Sequence, residues 1–88
     1  MKIDADRLTN ENATVWLERG QQAIRSGDTT FDLSQVAAVD SAAVALVLAW
    51  QREAAASGKQ LSFVGVPAGM ASLARLYGVD ALLALQAA

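Results

Sequence analysis

The sequence contains neither cysteine nor histidine. That removes disulfides, thiolate chemistry, the usual zinc ligand sets and a Ser-His-Asp triad together, leaving carboxylates and lysines as the available bases. Positive charge is scarce as well. Seven basic and nine acidic side chains give a net charge of -2 with no basic stripe to follow a phosphate backbone, so nucleic acid is not an expected ligand. Long apolar runs are also missing: the longest, Ala42–Trp50, falls far short of the roughly 20 residues that cross a bilayer. No direct membrane insertion is expected. The opening MKIDADRLTN lacks the apolar core of a secretory signal, which predicts a cytoplasmic protein. Gly58-Lys59 does not make a phosphate-binding loop, because Glu53 and Gln60 stand where that loop needs a glycine and a Ser or Thr. No cofactor is implied.

What is present is apolar. Hydrophobic residues make up 53% of 88, enough for one core, and the length fits one domain over residues 1–88. A domain this small cannot hide all of that surface, so a protein partner is expected.

The pattern alternates strand and helix. Ile3–Leu8 alternates loosely and reads as one short edge strand. The cluster Thr9-Asn10-Glu11-Asn12 then offers Asn10 or Asn12 as the cap of a helix that starts near Ala13. Ala13, Trp16, Leu17, Gly20, Ala23 and Ile24 recur at three and four, giving an amphipathic helix to Arg25 with Gly27 as its stop. Thr29–Leu33 reads as a strand, followed by a transition through Ser34–Val36 and by Ala37-Ala38-Val39. A second helix is predicted from Ser41 to about Ala56, closed by Ser57-Gly58. Gln60–Val66 is a further strand, Pro67 opens a last helix whose apolar face is Met70, Leu73, Ala74 and Tyr77, and Val79–Leu85 is an apolar tail suited to another helical turn or two. Strand, helix and strand at this spacing imply a right-handed parallel crossover, with the strands near Phe31 and Phe63 adjacent. The expected fold is α/β, a mixed sheet with helices packed mainly on one face.

The chain's chemistry concentrates at Val39-Asp40-Ser41. A side-chain oxygen just before a helix caps it, stabilising by about 1 kcal/mol, and that explains either polar residue without invoking function. The alternative is that Ser41 is a regulatory hydroxyl, since a phosphate there would meet the helix dipole while crowding Asp40. Behind this corner the second helix is apolar over more than one side: Val44, Val47, Leu48 and Ala55 form one face, which Leu46, Ala49, Trp50 and Ala54 widen. Some of that surface is expected to meet another protein.

Asp32-Leu33-Ser34, Val36, Val39-Asp40-Ser41, Val44 and Leu48 together resemble the signature of STAS domains. The similarity extends from about Phe31 to Leu83. The closing Leu73–Val79 segment with Asp80 and Leu82-Leu83 looks most like the MlaB-type branch of that family. The resemblance implies a non-enzymatic, cytoplasmic subunit that docks on the ATPase of an ABC transporter moving phospholipids between the inner and outer membranes, at the inner face of the inner membrane. The family's other role implies an anti-sigma factor antagonist, a switch that binds a Ser/Thr kinase and is released by phosphate on Ser41. Carried over by position, the expected partner contacts are Asp40, Ser41, Ala42, Ala43, Val44, Ala45, Leu48 and Arg52, with Ser41 the possible phosphorylation site. Two departures stand out. Ala43 occupies a position where the family usually has glycine, which is expected to limit a partner's approach, and the residues before Asn12 supply little more than one of the two opening strands.

Overall fold

The computed structural model describes residues 1–78 and 85–87. In chain order these form β1 (Arg7–Leu8), α1 (Ala13–Arg25), β2 (Thr30–Asp32), β3 (Ala38–Val39), α2 (Ser41–Ala56), β4 (Ser62–Val66), α3 (Ala68–Leu76) and β5 (Leu85–Ala87). The α/β class is as expected, but the sheet differs in detail. In place of a mixed sheet, every described pairing is parallel: β1 with β3, β2 with β4, and β4 with β5. The cause is connectivity, since each pair is joined by a crossover rather than a tight turn. Phe31 stands opposite Phe63, as predicted for adjacent strands.

The opening residues pair in two places. Lys2 bridges to Asp32, with the Ile3 N–H donating to the Asp32 carbonyl at 2.9 Å, while Arg7-Leu8 pairs separately with Ala38-Val39. The segment before Asn12 thus contributes one two-residue strand and an isolated bridge, little more than one strand, as expected. The role expected of Asn12 is corrected. Its side chain turns backwards, its Nδ2 donating to the Arg7 carbonyl at 2.9 Å and its Oδ1 accepting from the Thr9 N–H at 3.0 Å, whereas the α1 start is served by the Thr9 carbonyl. The two helix stops form as read, with Asp28 N–H bonded to the Ala23 carbonyl and Lys59 N–H to the Ala54 carbonyl.

Along β2 and β4 the inward residues Phe31, Leu33, Leu61 and Phe63 are buried while Thr30 and Ser62 are exposed, so one sheet face carries the core. Trp50 of α2 seals that face. Its ring lies edge-on to Phe31 at 4.9 Å and stacks on Phe63 at 6.4 Å between centroids. On its other side the indole meets α1, where a Cβ added to Gly20 would lie 2.0 Å from Nε1. The indole N–H donates to the Leu17 carbonyl at 3.3 Å, so the buried donor is satisfied. Trp50, read as part of an excess apolar face, is the centre of the core.

The apolar width of α2 has the same explanation. It packs against α1 on one side and α3 on another, burying Ala43, Val44, Leu46, Val47, Trp50 and Ala54, and only Ala55 of its expected apolar face is exposed. Tyr77 is likewise 52% exposed, because α3 ends at Leu76 and Tyr77 is its cap. In β4, Gly65 adopts φ +65° where the register against β5 shifts, and a side chain there would meet the Ser34 backbone at 2.9 Å. Of the expected apolar tail, residues 79–84 lie outside the described residues, and Leu85–Ala87 is a strand rather than a helical turn.

Gly20→Ala should lower stability by about 1 to 3 kcal/mol by forcing α1 away from Trp50. Urea unfolding measures this directly, and an unchanged midpoint would refute the close packing. Leu33→Ala, which empties a fully buried site, should cost about 2 to 5 kcal/mol in the same assay.

Candidate functional site

The start of α2 is held from two directions by one side chain. Asp40 has extended backbone, and its Oδ1 accepts from the Ala42 N–H at 2.8 Å while Oδ2 accepts from the Asn10 N–H at 3.1 Å. The first bond caps the helix and the second ties it to the turn between β1 and α1. With both oxygens engaged by backbone donors, Asp40 is positioned as a structural clamp. The capping reading therefore accounts for Asp40, while its bond to the Asn10 N–H joins residues 30 apart and leaves no mark in the sequence.

Ser41, immediately after the clamp, is exposed, and among the described residues no hydrogen bond engages its hydroxyl. It sits at the first position of α2, where the backbone dipole favours a negative group, but the neighbouring carboxylate already holds the Ala42 N–H. A phosphate on Ser41 would compete with Asp40 for that end of the helix.

The remaining expected contact residues divide sharply. Ala43 is fully buried and Val44 is 3% exposed, so both belong to the core and neither can touch a partner directly. Their placement corrects the expectation for them, and with Ala43 facing inwards its methyl does not limit an approaching chain. Ser41, Ala45 and Arg52 are exposed and Leu48 is half-buried. Their spacing of four, three and four places them on one line along the outer side of α2. Ala42 is half-buried at the edge of that line.

Two depressions flank the stripe. One, of about 260 Å³, runs between α1 and α2, where Thr14 and Leu17 face Ala42, Ala45 and Ala49. The small side chains of α2 create it, and the run of alanines was the available sequence signal. The other, of about 560 Å³, lies between the C-terminal half of α2 and the chain entering β4, lined among others by Leu48, Arg52, Lys59 and Leu61. Lys59 donates to the Ile24 carbonyl at 2.7 Å and closes the end of α1.

The Asp32-Leu33-Ser34 segment serves the fold. The Ser34 hydroxyl and N–H both bond the Asp32 carboxyl, holding it below the usual carboxylate range, and the N–H bond is 2.8 Å. Among the described residues no group of three or more Asp or Glu side chains could hold a metal ion, and no helix is long and apolar enough to cross a membrane. The outer face of α2 thus presents small, apolar and basic side chains on a fixed frame. Such a surface suits recognition of another protein.

These features are those of a STAS domain, and the family comparison agrees: the model for the STAS family matches residues 5–85, so the chain belongs to that family. The description of the matching model is "Mlab, STAS domain", which places the resemblance in the MlaB-type branch. No match is found among curated proteins. Among solved structures, the chain is similar to a protein described as an anti-sigma factor antagonist from Thermotoga maritima, with 16% sequence identity, a TM-score of 0.80, and coverage of 99% of this chain and 78% of that one. At that identity the similarity speaks for the fold. STAS domains act in protein–protein interaction and are generally non-enzymatic.

Asp40→Ala removes the cap and the tie to Asn10 together and should cost about 1 to 2 kcal/mol. Ser41→Ala should remain within about 0.5 kcal/mol of the parent. Thermal melts of the two variants side by side check the assignment, and equal losses would contradict it.

Proposed function

We propose that this chain is a non-enzymatic STAS subunit that binds, and stabilises or regulates, the ATPase of an ABC transporter moving phospholipids between the inner and outer membranes, and so serves outer-membrane lipid asymmetry. It works in the cytoplasm, held at the inner face of the inner membrane by its partner. The observation that carries this reading is the exposed line Ser41, Ala45, Leu48 and Arg52 on a helix whose start is clamped by Asp40, in a chain matched by the MlaB-type family model. A helix face held on a fixed frame docks with little backbone ordering cost, whichever partner it meets. Asp40 and Ala42 complete the surface at the corner.

A second reading is supported by the fold shared with the anti-sigma factor antagonist. In it the same face binds a Ser/Thr kinase, and phosphate on the exposed Ser41 releases it.

The two separate in a binding experiment with purified candidates from the native host, a transporter ATPase and an anti-sigma kinase. Stable co-purification with the ATPase is expected. Binding to the kinase alone, with stoichiometric phosphate on Ser41 by intact mass, would replace the first reading with the second. Ser41→Glu should lose partner binding by more than tenfold while its circular dichroism spectrum stays that of the parent, because a carboxylate is tolerated in the first turn of a helix. Undiminished binding by this variant would remove Ser41 from the interface.

A further inference from the structure

We infer that the depression at the C-terminal half of α2 is a second contact for the same partner and takes an acidic protein segment, one that places an apolar side chain on Leu48 and Ala55 and a carboxylate against Arg52. This rests on the docking reading proposed above and names the chemistry of the part of the partner that reaches this end.

The first ground is charge. The chain is net acidic, with nine carboxylates to seven cations, yet the charged side chains lining this depression are Arg52 and Lys59, with no carboxylate among them. Lys59 is pinned by its bond to the Ile24 carbonyl, so its charge is fixed in place, and two of its three donors remain. Arg52 is exposed, and among the described residues no ion pair engages it, although Arg25 and Glu53 one residue further on are paired across α1 and α2. A basic spot on an acidic surface selects an acidic ligand and repels the segments that the rest of the surface would attract.

The second ground is form and position. The floor is apolar, supplied by Leu48 and Ala55 with the buried Leu61 beneath them, and the depression is open along its length rather than enclosed. Small ligands are usually held in pockets that bury most of their surface, whereas an open apolar floor with a charged rim suits a protein segment. It is also continuous with the Ser41 corner. From Ser41 to Arg52 along α2 is about 16 Å, and an ordinary interface of roughly 800 Å² per partner extends further than that. A partner seated on the middle of the stripe therefore covers this depression.

The test uses the intact chain and the partner that binds it, with affinity measured by calorimetry for the parent, Arg52→Glu and Arg52→Lys. Arg52→Glu should weaken binding by about tenfold or more, Arg52→Lys by no more than about threefold, and the parent's affinity should fall between about 50 mM and about 500 mM salt while that of Arg52→Glu changes little. Unchanged melting and circular dichroism show that the variants are folded. If Arg52→Glu binds within twofold of the parent while Ser41→Glu does not bind, the acidic contact is overturned and the docking reading stands. Binding of inorganic phosphate at this face, with partner affinity indifferent to Arg52, would likewise overturn it in favour of a small-anion site. A parent chain that binds neither the ATPase nor the kinase overturns the docking reading and this inference with it.

Discussion

Because Gly20 has no side chain, the indole of Trp50 can occupy the space where a Cβ would stand, and α1 and α2 close on each other around it. The same ring covers Phe31 and Phe63 on neighbouring strands, so one side chain fixes the separation of two helices and their height above the sheet. Other choices follow from that spacing. Ala43, Val47 and Ala54 lie inwards with Trp50, small residues beside a large one, as close packing of unequal volumes requires. The outer side of α2 is left over from this arrangement, and it is there that Ser41, Ala45, Leu48 and Arg52 line up.

The helices were readable because period and punctuation agree. Trp16, Gly20 and Ile24 recur at four, and Gly27 and Gly58 stop α1 and α2 where expected. The strand pair around Phe31 and Phe63 was readable from alternation and from the helix between them. Sheet direction at the N-terminus was not. Two-residue strands such as Arg7-Leu8 and Ala38-Val39 carry too little pattern to announce a partner, and their pairing is decided by what α1 and α2 leave room for.

At the site, the sequence showed which residues are unusual but not which way they face. Ala43 and Val44 belong to an apolar run in which every neighbour looks alike, and only the docking of α1 and α3 decides which members turn inwards. Asp40 was visible as a cap, whereas its second bond to Asn10 joins residues distant in the chain and leaves no local trace. Conversely Lys59 reads as an ordinary surface charge, and its bond to the Ile24 carbonyl exists only because the ends of α1 and α2 come together.

The parallel pairing has a kinetic side. Lys2 meets Asp32, Arg7 meets Ala38 and Thr30 meets Ser62, each closing a loop of about thirty residues, and no hairpin among the described residues offers a short-range start. Helical turns need no such closure, so strand pairing is expected to follow them. In the interval the edges of β2 and β4 stand open. A newly made chain is thus most exposed to wrong partners before its crossovers close, and a cognate surface that engages α2 early would shorten that interval.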